Sequence, residues 1–334
     1  MNPGGTGPTT LAEIGEFSLI AALAQGAASA PDVLVGIGDD AAVLAVGGAV
    51  VTTVDALVEG VHFRRDWSSA TDVGRKAVAV NIADLEAMGA RPRGIVLAFS
   101  APGELEVRWA LDLAAGVHQE CAAAGVSLLG GDTTRARDVT LAVTAFGVLE
   151  GRAPVLRSGA RPGDVVAVVG RLGWAGAGLL VLGRGFRSPR ALVEAQRVPQ
   201  VPYGRGALAA QAGATAMVDV SDGLLADLGH VARASGVGVD VRTGALDIGE
   251  PLQAVAAATG ADPYRLVLTG GEDHALVATF PSSAAVPPGW TVIGEVREAG
   301  TDGPEVTVDG APYEGAPGFD HFRTGPGGRS PRGA

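Results

Sequence analysis

Hydrophobic and polar positions alternate along this chain with two different periods. In Glu13–Ala24, "EIGEFSLIAALA", apolar residues recur at three- and four-residue spacing, which predicts a helix. The run "AVVTTV" is β-branched and predicts a strand that ends at Asp55. Residues 71–89, "TDVGRKAVAVNIADLEAMG", return to helical spacing, and Gly89 closes the helix. Then follow a strand in "RGIVLAFSAP", a helix in "EVRWALDLAAGVHQECAAAG", a strand running into a loop in "VSLLGGDTT" and another strand in "VTLAVTAFGVLE". Strand and helix thus alternate through the first half, with enough β-rich segments for a four-stranded sheet.

A boundary falls near "EGRAPVLRSGARPGD". Beyond it, "VVAVVG" predicts a strand, while "AGAGLLVLG" and "YGRGALAAQAG" predict helices. "AMVDVSDGLLADLGHVARASG" predicts strand, loop and helix; "YRLVLTGGEDHALVATF" predicts two strands around a tight glycine turn. "WTVIGEVRE" and "PEVTVDG" complete a β-rich end, so the second half is also α/β. The two ends, rich in Gly, Pro and Thr or in Gly, Pro and Arg, read as disordered. The expected organisation is an extension over 1–12, domains over 13–150 and 151–323, and a tail over 324–334.

Composition narrows the classes. The 334 residues are 47% hydrophobic and 18% charged, enough apolar material for substantial cores. No apolar run approaches the roughly 20 residues that cross a bilayer, and the start lacks a signal peptide's basic and apolar regions. A cytoplasmic protein that is not bound to membrane is expected. The one cysteine, Cys121, has no partner for an internal disulfide and sits in a helical stretch, where it reads as a small buried hydrophobe. Net charge is −11, from 36 acidic and 25 basic residues, with no basic run of the kind that binds nucleic acid. An acidic protein that handles anions needs metal ions as bridges.

"GIGDDAAVL" places Asp39 and Asp40 side by side with almost nothing basic nearby. Further acidic residues recur at predicted strand ends or adjoining loops: Asp55, Asp132, Asp219, Asp222, and Glu272 with Asp273; Asp84 falls within a helix. Any one of these is explained by turn formation or helix capping, and Asp222 is placed to cap the helix beginning at Gly223. Together, with Gly, Ser or Thr around them and apolar strands behind, they exceed what capping requires. Oxygen-rich sets of this kind suit Mg²⁺, which takes a few carboxylates plus phosphate oxygens and water. Thr52, Thr53 and Ser221 add hydroxyl oxygens, and the glycines let backbone N–H groups approach phosphate. No "GxxxxGK[ST]" occurs, "GRLGWAGAG" departs from dinucleotide-binding spacing, and neither a Gly-x-Ser-x-Gly elbow nor a His-Glu-x-x-His helix is present.

In order along the chain stand "EFSLIAAL", "GIGDDAAVL", "TTVDALVEGVHF", "KAVAVNIADLEAMGA", "LLGGDTTRA", "LRSGARPGD", "VDVSDGLLADLGH", "LTGGEDHAL" and "GFDHF". This set, from about Glu13 to Phe322, resembles the thiamine-monophosphate kinase family of the aminoimidazole ribonucleotide synthetase superfamily. The resemblance implies a two-domain α/β (α+β) fold, with an N-terminal mixed sheet that dimerises and a C-terminal α/β domain. It implies transfer of the γ-phosphoryl group of ATP to thiamine monophosphate, with ATP in a cleft near the dimer junction. It further implies Asp40, Asp55, Asp84, Asp132, Asp219 and Asp222 as Mg²⁺ ligands, with oxygens from Thr53 and the backbone at Val54. Gly131, Arg157 and Ser221 are the implied ATP contacts, with Arg157 stabilising charge; His62 and Glu272 are the implied substrate contacts. No residue is assigned as general base, because the acceptor is an already ionised phosphate oxygen.

Two departures stand out. Ala316 falls where the family often has a Trp that stacks on the thiamine ring, which leaves Phe319 or Tyr313 as the substitute. His274 stands in "GGEDH" where Tyr is common. An aminoimidazole ribonucleotide synthetase-like enzyme and a nucleotide sensor without turnover are the alternatives.

Overall fold

The computed structural model describes residues 8–26, 30–37, 41–301 and 303–319, with only the backbone of Phe17. Asp39, Asp40, the tail over 324–334 and most of "GFDHF" lie outside the described residues. The chain divides into two compact units: residues up to Ile82 with Pro92–Glu150, and Ala83–Arg91 with everything from Gly151 onward.

The first unit begins with α1 (Leu11–Ile14) and α2 (Glu16–Leu23). The predicted single helix is broken in two by Gly15, whose φ of 74° is left-handed. Within the predicted extension, the backbone N–H groups of Thr9 and Thr10 both donate to the Glu13 carboxylate, so this part is already tied down. Next come β1 (Val33–Val35), β2 (Val43–Leu44), β3 (Val50–Val58), α3 (Ala70–Ala87), β4 (Arg91–Ala101), α4 (Val107–Ala124), β5 (Ser127–Arg135) and β6 (Thr140–Val148). The expected four-stranded sheet is present, in the order β3-β6-β4-β5. It is mixed: β3 and β6 are antiparallel, β4 and β5 parallel.

Alternation gives this sheet two unlike faces. Leu141, Val143, Ala145, Ile95 and Phe99 are buried, as are the stripes Val73, Ala77, Val80 of α3 and Leu113, Val117 of α4. Each such Val, Leu, Ile or Phe side chain stabilises the unit by roughly 1.5–3 kcal/mol. The two helices approach so closely that a Cβ on Gly74 would lie 2.1 Å from the Leu113 carbonyl, and one on Gly116 2.1 Å from that of Thr71. On the other sheet face Val54, 62% exposed, stands opposite Thr144, and Thr52 opposite Phe146.

The second unit comprises β7 (Val165–Val169), α5 (Trp174–Gly183), α6 (Arg190–Arg197), α7 (Arg205–Gln211), β8 (Ala216–Asp219), α8 (Leu224–Ser235), β9 (Val237–Val241), α9 (Glu250–Thr259), α10 (Pro263–Thr269), β10 (Leu276–Phe280), β11 (Thr291–Glu298), β12 (Val306–Val308) and β13 (Ala311–Pro312). Its seven strands run in the order β13-β12-β9-β11-β7-β10-β8. Phe280 and Trp290 meet edge to face at 5.7 Å in a core with Ala167, Met217 and Leu276. "YRLVL", read as a strand, is α10: Pro263 fits a first helical turn, and Asp262 caps it by accepting the Tyr264 N–H at 2.9 Å. α6, α9 and β9 carry no expectation from the apolar pattern.

Candidate active site

In the second unit, four chain segments meet around the loop that leaves β8. Asp219, the last residue of β8, is buried, and its Oδ2 lies 3.0 Å from Nδ1 of His274. Val220 and the "GGEDH" turn bond reciprocally: His274 N–H donates to the Val220 carbonyl at 2.8 Å, and Val220 N–H to that of Ala275 at 2.8 Å. One residue on, Glu272 N–H donates to the Ser221 carbonyl at 2.7 Å. Phe319 N–H then donates to the Asp222 carbonyl at 2.9 Å. Asp219, Ser221, Asp222, Glu272 and Phe319, five of the predicted site residues, thus belong to one hydrogen-bonded framework.

Glycine permits this closeness. A Cβ at Gly271 would lie 2.6 Å from the Ser221 carbonyl oxygen, and one at Gly318 2.4 Å from that of Asp222. Backbone strain accompanies it: Glu272 and His274 hold φ of 67° and 51°, a region L side chains rarely adopt.

Two buried carboxylates, Asp227 and Asp273, hold the framework. Asp227 Oδ2 accepts the N–H groups of Asp222 and Gly223, both at 3.1 Å. Asp227, in the first turn of α8, thus reaches back to the N-cap residue Gly223 and to Asp222, and no side chain caps the helix itself, Asp222 included. Asp273 accepts from Gly173 at 2.5 Å and Ala175 at 2.8 Å, joining the start of α5 to the "GGEDH" turn. Burial, then the charges of Asp219 and Asp222 among lesser influences, pushes the Asp227 carboxyl up to about 7. Burial alone outweighs the helix N–H donors at Asp273, also raised to about 7.

Arg157 is anchored at the end of α8 opposite Asp222. Its carbonyl accepts from Ser235 Oγ at 3.1 Å, and burial followed by the charges of Arg157 and Arg233 lowers the His230 pKa, against a raising influence of Asp222. Asp84 lies half-buried near the end of α3. Two residues on, Glu86 is buried and accepts the N–H groups of Gly204 at 2.7 Å and Gly206 at 2.8 Å.

In the first unit, Thr53 and Asp55 are neighbours on one side of β3, in register with Ala145 and Val143. Asp55 N–H donates to Asn81 Oδ1 of α3 at 2.9 Å. Both strands carrying a predicted ligand run on past it, so Asp55 and Asp132 sit inside strands rather than at strand ends or in loops. Asp132 stands opposite Ala98 on β5, the other edge of the sheet. Three strand spacings, about 14 Å, separate those edges, so the sheet does not bring Asp55 and Asp132 together. Gly131 packs on β4 with no room for a Cβ, 2.0 Å from the Leu97 carbonyl. His62, half-buried, accepts the Val58 N–H at Nδ1 at 3.0 Å.

Among the described residues, no group of three or more His, Cys, Asp or Glu is placed to hold a metal ion. The Asp219–Ser221–Asp222 loop offers carboxylate and hydroxyl oxygens, donors of the kind a hard cation takes. Cys121 is buried, its thiol pushed up to about 12 by burial and then by Glu120. No helix among the described residues is long and apolar enough to cross a membrane.

The family model described as AIR synthase related protein, N-terminal domain, matches residues 38–149, and its C-terminal counterpart matches residues 161–307. The thiamine-monophosphate kinase of Mycobacterium tuberculosis is 49% identical over 316 residues, spanning 94% of this chain and 93% of that protein. The crystal structure of thiamine-monophosphate kinase from Stenotrophomonas maltophilia superposes with a TM-score of 0.75 at 34% identity, covering 88% of this chain and 95% of that one. A structure of AaThiL complexed with AMPPCP and TMP gives 0.75 at 33% identity, covering 94% and 99%. Family models over both halves, and relatives of this identity along nearly the full length, place the chain in the thiamine-monophosphate kinase family of the AIR synthase related proteins.

Proposed function

We propose that the chain transfers the γ-phosphoryl group of ATP to the phosphate of thiamine monophosphate, giving thiamine diphosphate and ADP. The observation that carries this reading is the framework uniting Asp219, Ser221, Asp222, Glu272 and Phe319. The solved relative complexed with AMPPCP and TMP supports the same pair of ligands.

Asp219 and Asp222, with Asp40, Thr53, the Val54 backbone, Asp55, Asp84 and Asp132, would hold Mg²⁺; the ions supply neutralisation of phosphate charge when bound. Gly131, Arg157 and Ser221 bind ATP, and the Arg157 guanidinium stabilises charge on its phosphates. His62 and Glu272 orient thiamine monophosphate, and Phe319, 60% exposed, presents its ring to the thiamine. The acceptor oxygen is already anionic, so the chain's task is to position two repelling groups in line. The transfer is direct, with no phosphorylated side chain.

A second copy of the chain belongs on the open sheet face of the first unit, where Val50 and Val54 are half or more exposed. Sedimentation mass reads this out: a dimer supports it and a monomer at working concentration refutes it. Activity is tested by incubating the purified chain with ATP, Mg²⁺ and thiamine monophosphate. Thiamine diphosphate is the expected product; bound ATP without product refutes the reading.

A further inference from the structure

Among the described residues Lys76 heads the fully buried side chains by volume, at 2% exposure, and the reaction described above gives it no role. A buried ammonium is costly unless its surroundings compensate it. It projects from the interior of α3, a rigid element, and its Nζ donates to the backbone carbonyl of His62 at 3.1 Å.

That carbonyl belongs to a tightly bonded turn. The N–H of Val61 donates to the Val58 carbonyl at 3.1 Å, that of His62 to the same oxygen at 2.9 Å, and that of Gly60 to the Phe63 carbonyl at 2.8 Å. The His62 ring closes the turn by accepting the Val58 N–H at Nδ1 at 3.0 Å. A ring nitrogen that accepts a hydrogen bond carries no proton, so the neutral imidazole has its proton on Nε2. Adding a proton to Nδ1 would set two N–H groups against each other. Lys76 thus fixes the backbone of His62 from beneath, while Val58 fixes the ring.

We propose that His62 serves thiamine monophosphate as a neutral Nε2–H donor, and that Lys76 is the positioning residue that holds it in that place and tautomer. The donor role rests on the substrate contact proposed for His62 above. An Nε2–H suits an anionic phosphate oxygen, and it is not a base.

The test is a long-range proton–nitrogen spectrum of the full chain labelled at histidine. Only five histidines contribute, and His62→Gln assigns the signal. At neutral pH the wild-type ring should be the Nε2–H tautomer. Lys76→Met should mix the tautomers and raise KM for thiamine monophosphate about tenfold, a loss of about 1.4 kcal/mol, while KM for ATP moves less than about twofold. Lys76→Arg, which keeps a cationic donor, should restore both. His62→Gln, whose amide reaches the Nε2 position, should bind thiamine monophosphate better than His62→Asn. An Nδ1–H or doubly protonated wild-type ring overturns the proposal, as does a Lys76→Met chain with unchanged tautomer and KM. If Lys76→Met does not fold, the wild-type spectrum and the Gln-against-Asn comparison decide. A chain that makes no thiamine diphosphate overturns the donor role together with the functional reading, whereas the spectrum still decides the tautomer.

Discussion

Phe319 N–H donates to the carbonyl oxygen of Asp222 at 2.9 Å, and Gly318 packs on the same oxygen so closely that a Cβ would stand 2.4 Å from it. The end of the described chain therefore serves as one wall of the Ser221–Gly223 loop. In Gly318→Ala the added methyl group also meets Ala226 Cβ at 2.7 Å, so the loop or the segment has to move. We expect turnover to fall at least about tenfold, at a stability cost of about 1–3 kcal/mol. Steady-state kinetics beside a thermal melt checks this, and wild-type turnover would contradict it.

The ring of Phe319 is 60% exposed, so little stability depends on it. Phe319→Ala should raise KM for thiamine monophosphate about three- to tenfold, the worth of one aromatic contact, with KM for ATP unchanged. Phe319→Trp should retain the wild-type value. An alanine variant with wild-type KM for both substrates removes Phe319 from the substrate site.

Asp222 does not cap α8, whose N-cap is Gly223, so Asp222→Asn removes no helix cap. Its kcat/KM should fall by about 10²–10³, as when one preorganised electrostatic contact to a transition state is removed, and more Mg²⁺ should be needed for half-maximal rate. Circular dichroism and a Mg²⁺ titration of rate separate this from unfolding; normal rates would refute its role.

Burial keeps Asp273 protonated to about 7 in the folded chain, against an ordinary value of 3.8. The folded state thus holds its proton to higher pH than the unfolded state. The stability this adds is fully present below about pH 3.8 and fades as pH rises to about 7. Asp273→Asn lacks the titration, so across that window wild-type stability should fall relative to the variant by about 2–4 kcal/mol. Urea unfolding at both ends of the window measures it, and a constant difference between the two chains contradicts it.

Much of the scaffold was legible because the periodicities are strong: α3, α4 and the four-stranded sheet follow from apolar spacing alone. The failures have local causes. "YRLVL" has strand composition, but the Asp262–Pro263 start outweighs it. Asp132 looked like a loop residue because two glycines precede it, yet the second, Gly131, lets β5 lie against β4. Asp219, Asp222 and Glu272 were legible as chemistry because they stand in or beside Gly- and Ser-rich loops. Asp227 and Lys76 were not, and Asp273, singled out with Glu272 as one of the acidic set, instead holds helix N–H groups; each acts on backbone atoms of another segment or turn, and spacing along the chain carries no trace of those contacts.

The central claim is direct transfer between two anions that the protein only neutralises and aligns. The stereochemical course at phosphorus tests it most directly, using ATP made chiral at the γ-phosphoryl group with thiamine monophosphate and Mg²⁺. One in-line displacement predicts inverted configuration in thiamine diphosphate. Retained configuration, the signature of a phosphorylated side chain and two displacements, would contradict it.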